Sequence, residues 1–339
     1  MLKNPIITRL RQELDKKYKE DNEWLFCDKF TKSGAVKEEF EDYLEEFYDG
    51  TFFTHVGFEV LAHFSLERSI YAIMVLQDKT RFQQEIVRST AYGYLMITSA
   101  SQSCGCFQGR SSIPMHRALI HFALNVLILS EESIKKTGEM LINSVNAENC
   151  VIGRGGLKAY RDWFILELYS KAINKEISKK RAYYPDKGFA DYENILKLWD
   201  TEDLQYIDFQ VNILCEMHLS SALTPINEEN EDEKKYNLEL PHIELFPYEI
   251  LVWLKLREKE GLKNPKTFTH PLMNTPIAKM FLDIKEPLPK PTELPYGKEL
   301  LEKLKEQCPD VEVPEWLEGN TEKVNEAKSN DIIPDDFLK

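Results

Sequence analysis

The sequence predicts an all-α protein, and three observations carry that expectation. Glycine supplies 14 of 339 residues, about 4% against a usual level near 7%, so few positions favour the left-handed turns that many short strands need. Apolar residues recur every three or four positions over most of the chain, the period of a helix buried on one side. The stretch 241–280 reads as two helices joined by a stiff turn. The expected architecture is packed antiparallel helix pairs, compatible with a solenoid-like stack, followed by an extended Pro-rich acidic C-terminal segment.

Residues 6–18 and 36–48 read as amphipathic helices, the second ended by Gly50. A longer, more apolar helix over 53–76 pairs with one over 81–97 at the centre of the N-terminal half. The small residues of 99–112, with Gly105 and Gly109, predict a loop. Pro114 opens a helix in which Met115, Ala118, Phe122, Val126 and Leu129 repeat at helical spacing, and a shorter helix over 131–145 follows. Gly153-Arg154-Gly155-Gly156 marks a second break, so a subdomain boundary near 150 is compatible with the pattern. The helix over 157–177 buries Leu166, Tyr169, Ile173 and Ile177. A short helix over 192–198 leads to one over 202–222, whose inward stripe is Leu204, Ile207, Val211, Leu214 and His218.

In 241–280, Pro247 suits a first helical position, and Ile250, Trp253, Leu254 and Leu256 give a broad apolar face. Lys255, Arg257 and Lys259 favour the helix C-terminus, and Gly261 supplies a left-handed stop. In His270-Pro271-Leu272-Met273-Asn274-Thr275-Pro276 each proline pushes its predecessor out of the α region, and Thr275 caps a helix starting at Pro276. Past 284, Pro287, Pro289, Pro291 and Pro295 enforce an extended course before a short helix near Leu300 and an acidic tail. The expected division is an all-helical domain over 1–284 and an extension over 285–339.

Phe246-Pro247-Tyr248-Glu249-Ile250-Leu251, Leu256-Arg257-Glu258, Gly261 and His270-Pro271-Leu272-Met273, with Trp199-Asp200 and the run 204–218, resemble helical immunity proteins of bacterial polymorphic toxin systems, in particular the family called immunity protein forty-nine. The resemblance covers roughly the last third of the globular part and implies a helical protein that binds a secreted toxin. It brings no catalytic motif and no match before Tyr183.

The formal net charge is -14, which disfavours nucleic acid and anionic membranes as partners and suits a basic protein. Acidity also simply keeps a protein soluble. The six cysteines include no C-x-x-C pair and read as free thiols. The N-terminus lacks the apolar core of a signal peptide, and the longest apolar run, 118–129, is too short to span a bilayer. A cytoplasmic location is expected.

His55, Glu59, His63 and Glu67 are spaced by four along one helix, so they offer either two imidazoles and a carboxylate to a metal, as in a metal-dependent hydrolase, or a set of helix-stabilising pairs. Neither H-E-x-x-H nor E-x-x-H occurs, which favours the pairs. Gly153-Arg154-Gly155-Gly156 matches no phosphate-binding fingerprint, Cys104-Gly105-Cys106 has no neighbouring base or cation, and His218, His242 and His270 read as core histidines bonded to neighbours. No catalytic residue, metal or cofactor is called for. Glu228, Glu229, Glu231, Asp232 and Glu233 form the densest charge run; it is a solvated linker or a surface whose self-repulsion a cationic toxin relieves. The remaining alternative is a helical scaffold for another protein partner.

Overall fold

The structure is a computed structural model that describes residues 4–20, 54–106, 113–146, 152–153, 160–178, 189–220, 243–288, 291, 294 and 297–307. Within them the fold is all-α, as expected. The helices are α1 (Pro5–Glu20), α2 (Thr54–Tyr71), α3 (Lys79–Cys106), α4 (Met115–Ile128), α5 (Glu131–Asn146), α6 (Tyr160–Ala172), α7 (Ala190–Lys197), α8 (Leu204–Ser220), α9 (Tyr248–Lys259), α10 (Pro276–Asp283) and α11 (Gly297–Gln307). Among the described residues the strands are two short parallel segments, β1 (Ile113–Pro114) and β2 (Ile152–Gly153), with Ile113 opposite Ile152. The expected helix over 36–48, the glycine tract after Gly153 and the tail beyond Gln307 lie outside the described residues.

Local chemistry sets the helix ends. Asn4 Oδ1 accepts the Ile6 N–H at 2.9 Å and caps α1. At the end of α2 the backbone widens into a π-turn over Ala72–Leu76, and Gln77 takes a left-handed φ of 59° to close it. Asp78 Oδ1 then accepts the Arg81 N–H at 2.9 Å, so the chain reverses within a few residues and α3 runs back along α2. Ser89 Oγ donates to the Ala62 carbonyl at 2.7 Å across this pair. The small-residue stretch beginning at Ser99 was expected to be a loop, yet α3 continues through it to Cys106. Thr98 and Ser99 donate their hydroxyl protons back to the Tyr94 and Met96 carbonyls, which keeps those polar groups satisfied inside a helix.

One contiguous hydrophobic core draws on every helix from α1 to α11. Its centre is α4, where Ala118 to Ile128 are all buried; the expected one-sided stripe was too narrow, because α3, α5, α6 and α9 surround the helix. α9 returns from late in the sequence to pack on both α4 and α6, and α11 lays Leu300, Leu301 and Leu304 against α2 and α3. These late helices close the stack on itself.

The residues of 241–280 behave largely as their stereochemistry predicts. Tyr248 starts α9, Trp253 is fully buried, and Gly261 adopts φ 76° just past the helix end. Thr275 Oγ1 accepts the Ala278 N–H at 3.4 Å with Pro276 opening α10. Arg257 stands in the last turn of α9, as expected, and is fully buried there. Its guanidinium donates to the carbonyls of Trp199, Thr201 and Lys263 and to Asn264 Oδ1, and Trp253 Nε1 donates to the same Trp199 carbonyl at 3.0 Å. Five donor contacts thereby tie the turn after α7 to the turn after α9.

Candidate functional site

Of the four-residue stripe on α2, the side chains of Glu59, His63 and Glu67 are described, and that of His55 lies outside the described residues. Glu59 pairs its carboxylate with Arg117 of α4. His63 Nδ1 lies 2.9 Å from the Glu59 carbonyl oxygen and 3.2 Å from His121 Nε2. A carbonyl only accepts, so His63 Nδ1 carries the proton; His121 Nε2 then accepts as well, which leaves the His121 proton on Nδ1. That atom has no hydrogen-bond partner among the described residues and rests on Gly93, where an added Cβ would stand 2.8 Å from it. Burial and the neighbouring His116 push the His63 pKa down to about 3, and burial drives that of His121 well below its usual range. Glu67 is buried on the same helix. Among the described residues no three His, Cys, Asp or Glu side chains converge to hold a metal ion. Glu59 and His63 therefore build a contact between α2 and α4, with partners on another helix where the spacing suggested pairs within one helix.

A second buried network joins α6, α8 and α9. His218 Nδ1 donates to both oxygens of Glu249, at 2.8 and 3.0 Å, as expected for a core histidine bonded to a neighbour. Arg161 Nε stands 3.6 Å from Glu249 Oε1, and its Nη2 donates to the His218 carbonyl at 2.8 Å. Burial alone would raise the Glu249 pKa, but His218 and Arg161 outweigh it and hold the carboxyl below its usual range. Asp162 lacks that compensation: burial, against the pull of Arg161, lifts it to about 7. Burial likewise pushes the Tyr248 hydroxyl and the nearby Cys215 thiol well up, so that thiol is no nucleophile. His218 and Glu249 are fully buried, which suits a strut between three helices better than a group that meets substrate.

His270 Nδ1 accepts the Leu272 N–H at 3.1 Å, so its proton sits on Nε2 and is donated to Glu216 Oε1 at 3.0 Å. The run Glu228, Glu229, Glu231, Asp232 and Glu233, His242 and the Cys104–Cys106 side chains lie outside what the structure describes.

On the surface the distribution of apolar side chains is uneven. Four large hydrophobic residues are strongly exposed among the described residues: Leu76, and then Leu198, Leu204 and Phe209, all on the turn before α8 and its first half. Leu204 was expected to face inward; it stands 40% exposed, because the stripe reaches the core only from Ile207 onward. Phe209, at 60% exposed, lies outside the inward stripe. The signal was present, since Phe209 falls between Ile207 and Val211, on the side of the helix away from both.

No known family model, curated protein or solved structure matches this chain. Among the described residues no helix is long and apolar enough to cross a membrane.

Proposed function

We propose that this chain is an immunity protein that acts in the cytoplasm by binding a cognate secreted antibacterial toxin, one with a basic active-site cleft, and covering or distorting that cleft. The observation that carries the reading is where the residues of the sequence resemblance meet. Arg257 donates to the Trp199 carbonyl across 58 positions, and Glu249 bonds His218 across 31. A set of residues that builds a core fits a family defined by a shared helical body, with function left to a variable surface. The charge balance of -14 supports a cationic partner, because steering raises the association rate and charge pairing sharpens selectivity.

Co-expression with the toxin encoded beside this chain's gene tests the proposal. Growth should be rescued, and the two proteins should co-purify as a stable complex burying at least about 1,200 Å². Absence of both rescue and complex with every adjacent effector would sink it.

A further inference from the structure

We infer that the outer ridge of α8, Tyr206, Phe209 and Ile213, is a docking surface for a cationic protein with an apolar recess. This rests on the immunity reading and adds the place where the partner is met.

The ridge follows from helical geometry. Ile207, Val211, Leu214, Cys215 and His218 turn α8 inward, so Phe209 points away from the core, with Tyr206 and Ile213, half-buried, three residues before and four after it. Interface cores are enriched in such aromatic and branched side chains.

The ridge is also held still before any partner arrives. Asp203 Oδ1 caps the helix by accepting the Gln205 and Tyr206 N–H groups at 2.9 and 3.0 Å. Asp208 accepts from the Thr269 backbone N–H at 3.1 Å and from its hydroxyl at 2.8 Å, and Asn212 Nδ2 reaches the same hydroxyl at 2.7 Å. At the far end His218 is locked to Glu249. A preorganised surface loses little conformational freedom on binding.

Charge selects the occupant. Residues 200–220 contain Asp200, Glu202, Asp203, Asp208 and Glu216 and no Lys or Arg; the last basic residue before them is Lys197. Asp200, Glu202, Asp203 and Glu216 are exposed. Lys266, also exposed, lies three residues before Thr269 on the turn that bonds α8, but the helix and the turn before it carry only carboxylates as exposed charge. An apolar ridge on such an element disfavours phosphate backbones and anionic lipid, and it matches a protein surface that sets Lys or Arg around an apolar recess.

The full chain is titrated with fluorescein-labelled amphipathic peptides, one of Lys and Leu and one of Glu and Leu, read by anisotropy at two salt concentrations. The Lys/Leu peptide should bind and the Glu/Leu peptide should not. Phe209→Ser should weaken binding at least tenfold with an unchanged thermal melt, Phe209→Tyr should restore it, and Glu202→Gln with Glu216→Gln should flatten the salt dependence. Equal binding of both peptides, or of wild type and Phe209→Ser, overturns the inference. So does sedimentation showing a wild-type dimer that Phe209→Ser dissociates, because a second copy would then cover the ridge. The neighbouring toxin separates the two claims. If Phe209→Ser binds it as tightly as wild type, the ridge is wrong and immunity stands; if wild type ignores it while the peptide results hold, immunity is wrong and the ridge stands.

Discussion

Arg257 shows how much one buried side chain can hold together. It sits in the last turn of α9, where positive charge is favourable in any helix, but its fork is fully buried and hydrogen-bonded to three carbonyls and Asn264. Lysine has one nitrogen and cannot span those acceptors. Arg257→Lys should therefore cost roughly 2–4 kcal/mol in urea unfolding, since buried carbonyls are left unpaired. Trp253→Ala beside it should cost roughly 3–5 kcal/mol, from the lost burial and the cavity left behind. At Gly93 the requirement is space, with His121 Cβ 2.7 Å from where a methyl group would sit. Gly93→Ala should destabilise by about 1–3 kcal/mol through overpacking; an unchanged midpoint would mean that the His121 ring moves aside freely.

Helix ends in this chain are mostly local devices, and one of them can be tested in isolation. Thr275 Oγ1 accepts the Ala278 N–H and donates to the Leu272 carbonyl at 2.7 Å, so it joins the 3-10 turn over Pro271–Asn274 to α10. Thr275→Ala should lose about 1–2 kcal/mol and Thr275→Ser should keep most of it, measured by thermal unfolding. Such devices were legible because proline and capping residues act within four positions of themselves. The end of α3 was not, because small polar residues specify no conformation until their hydroxyls find partners.

At the scale of the whole molecule, the buried titratable groups set how stability responds to pH. His63, His116 and His121 all have pKa values lowered chiefly by burial, that of His63 to about 3. Their unfolded values are near 6.5, so below that pH the unfolded chain binds more protons and stability falls as pH drops toward about 3. His63 alone contributes a slope of roughly 1.4 kcal/mol per pH unit across that window. Asp162 acts oppositely. Its folded value near 7 against an unfolded 3.8 means that the folded state holds the extra proton, so its contribution falls as pH rises through that interval. Asp162→Asn should thus raise stability more at pH 8 than at pH 4 and steepen the acid loss, as read from denaturant midpoints at the two values. An equal gain at both would show that Asp162 ionises normally inside the core.

The sequence by itself determined the helical class, most helix boundaries and the acidic balance, because each follows from periodicity, stereochemistry or composition. The inward stripe of α8 from Ile207 to His218, the stop at Gly261 and the cap at Thr275 are of this kind. The tertiary structure alone decided the fate of the polar groups and the exposed ridge. Glu59 meets Arg117 and His63 meets His121 across 58 positions, and Arg257 reaches Trp199 over the same separation. Periodicity relates a residue to neighbours three or four places away; it carries no information about which distant helix will arrive. Phe209 is the converse case. The wheel places it outside, but only the packed assembly shows that no other described helix comes to cover it, leaving an aromatic side chain at 60% exposure.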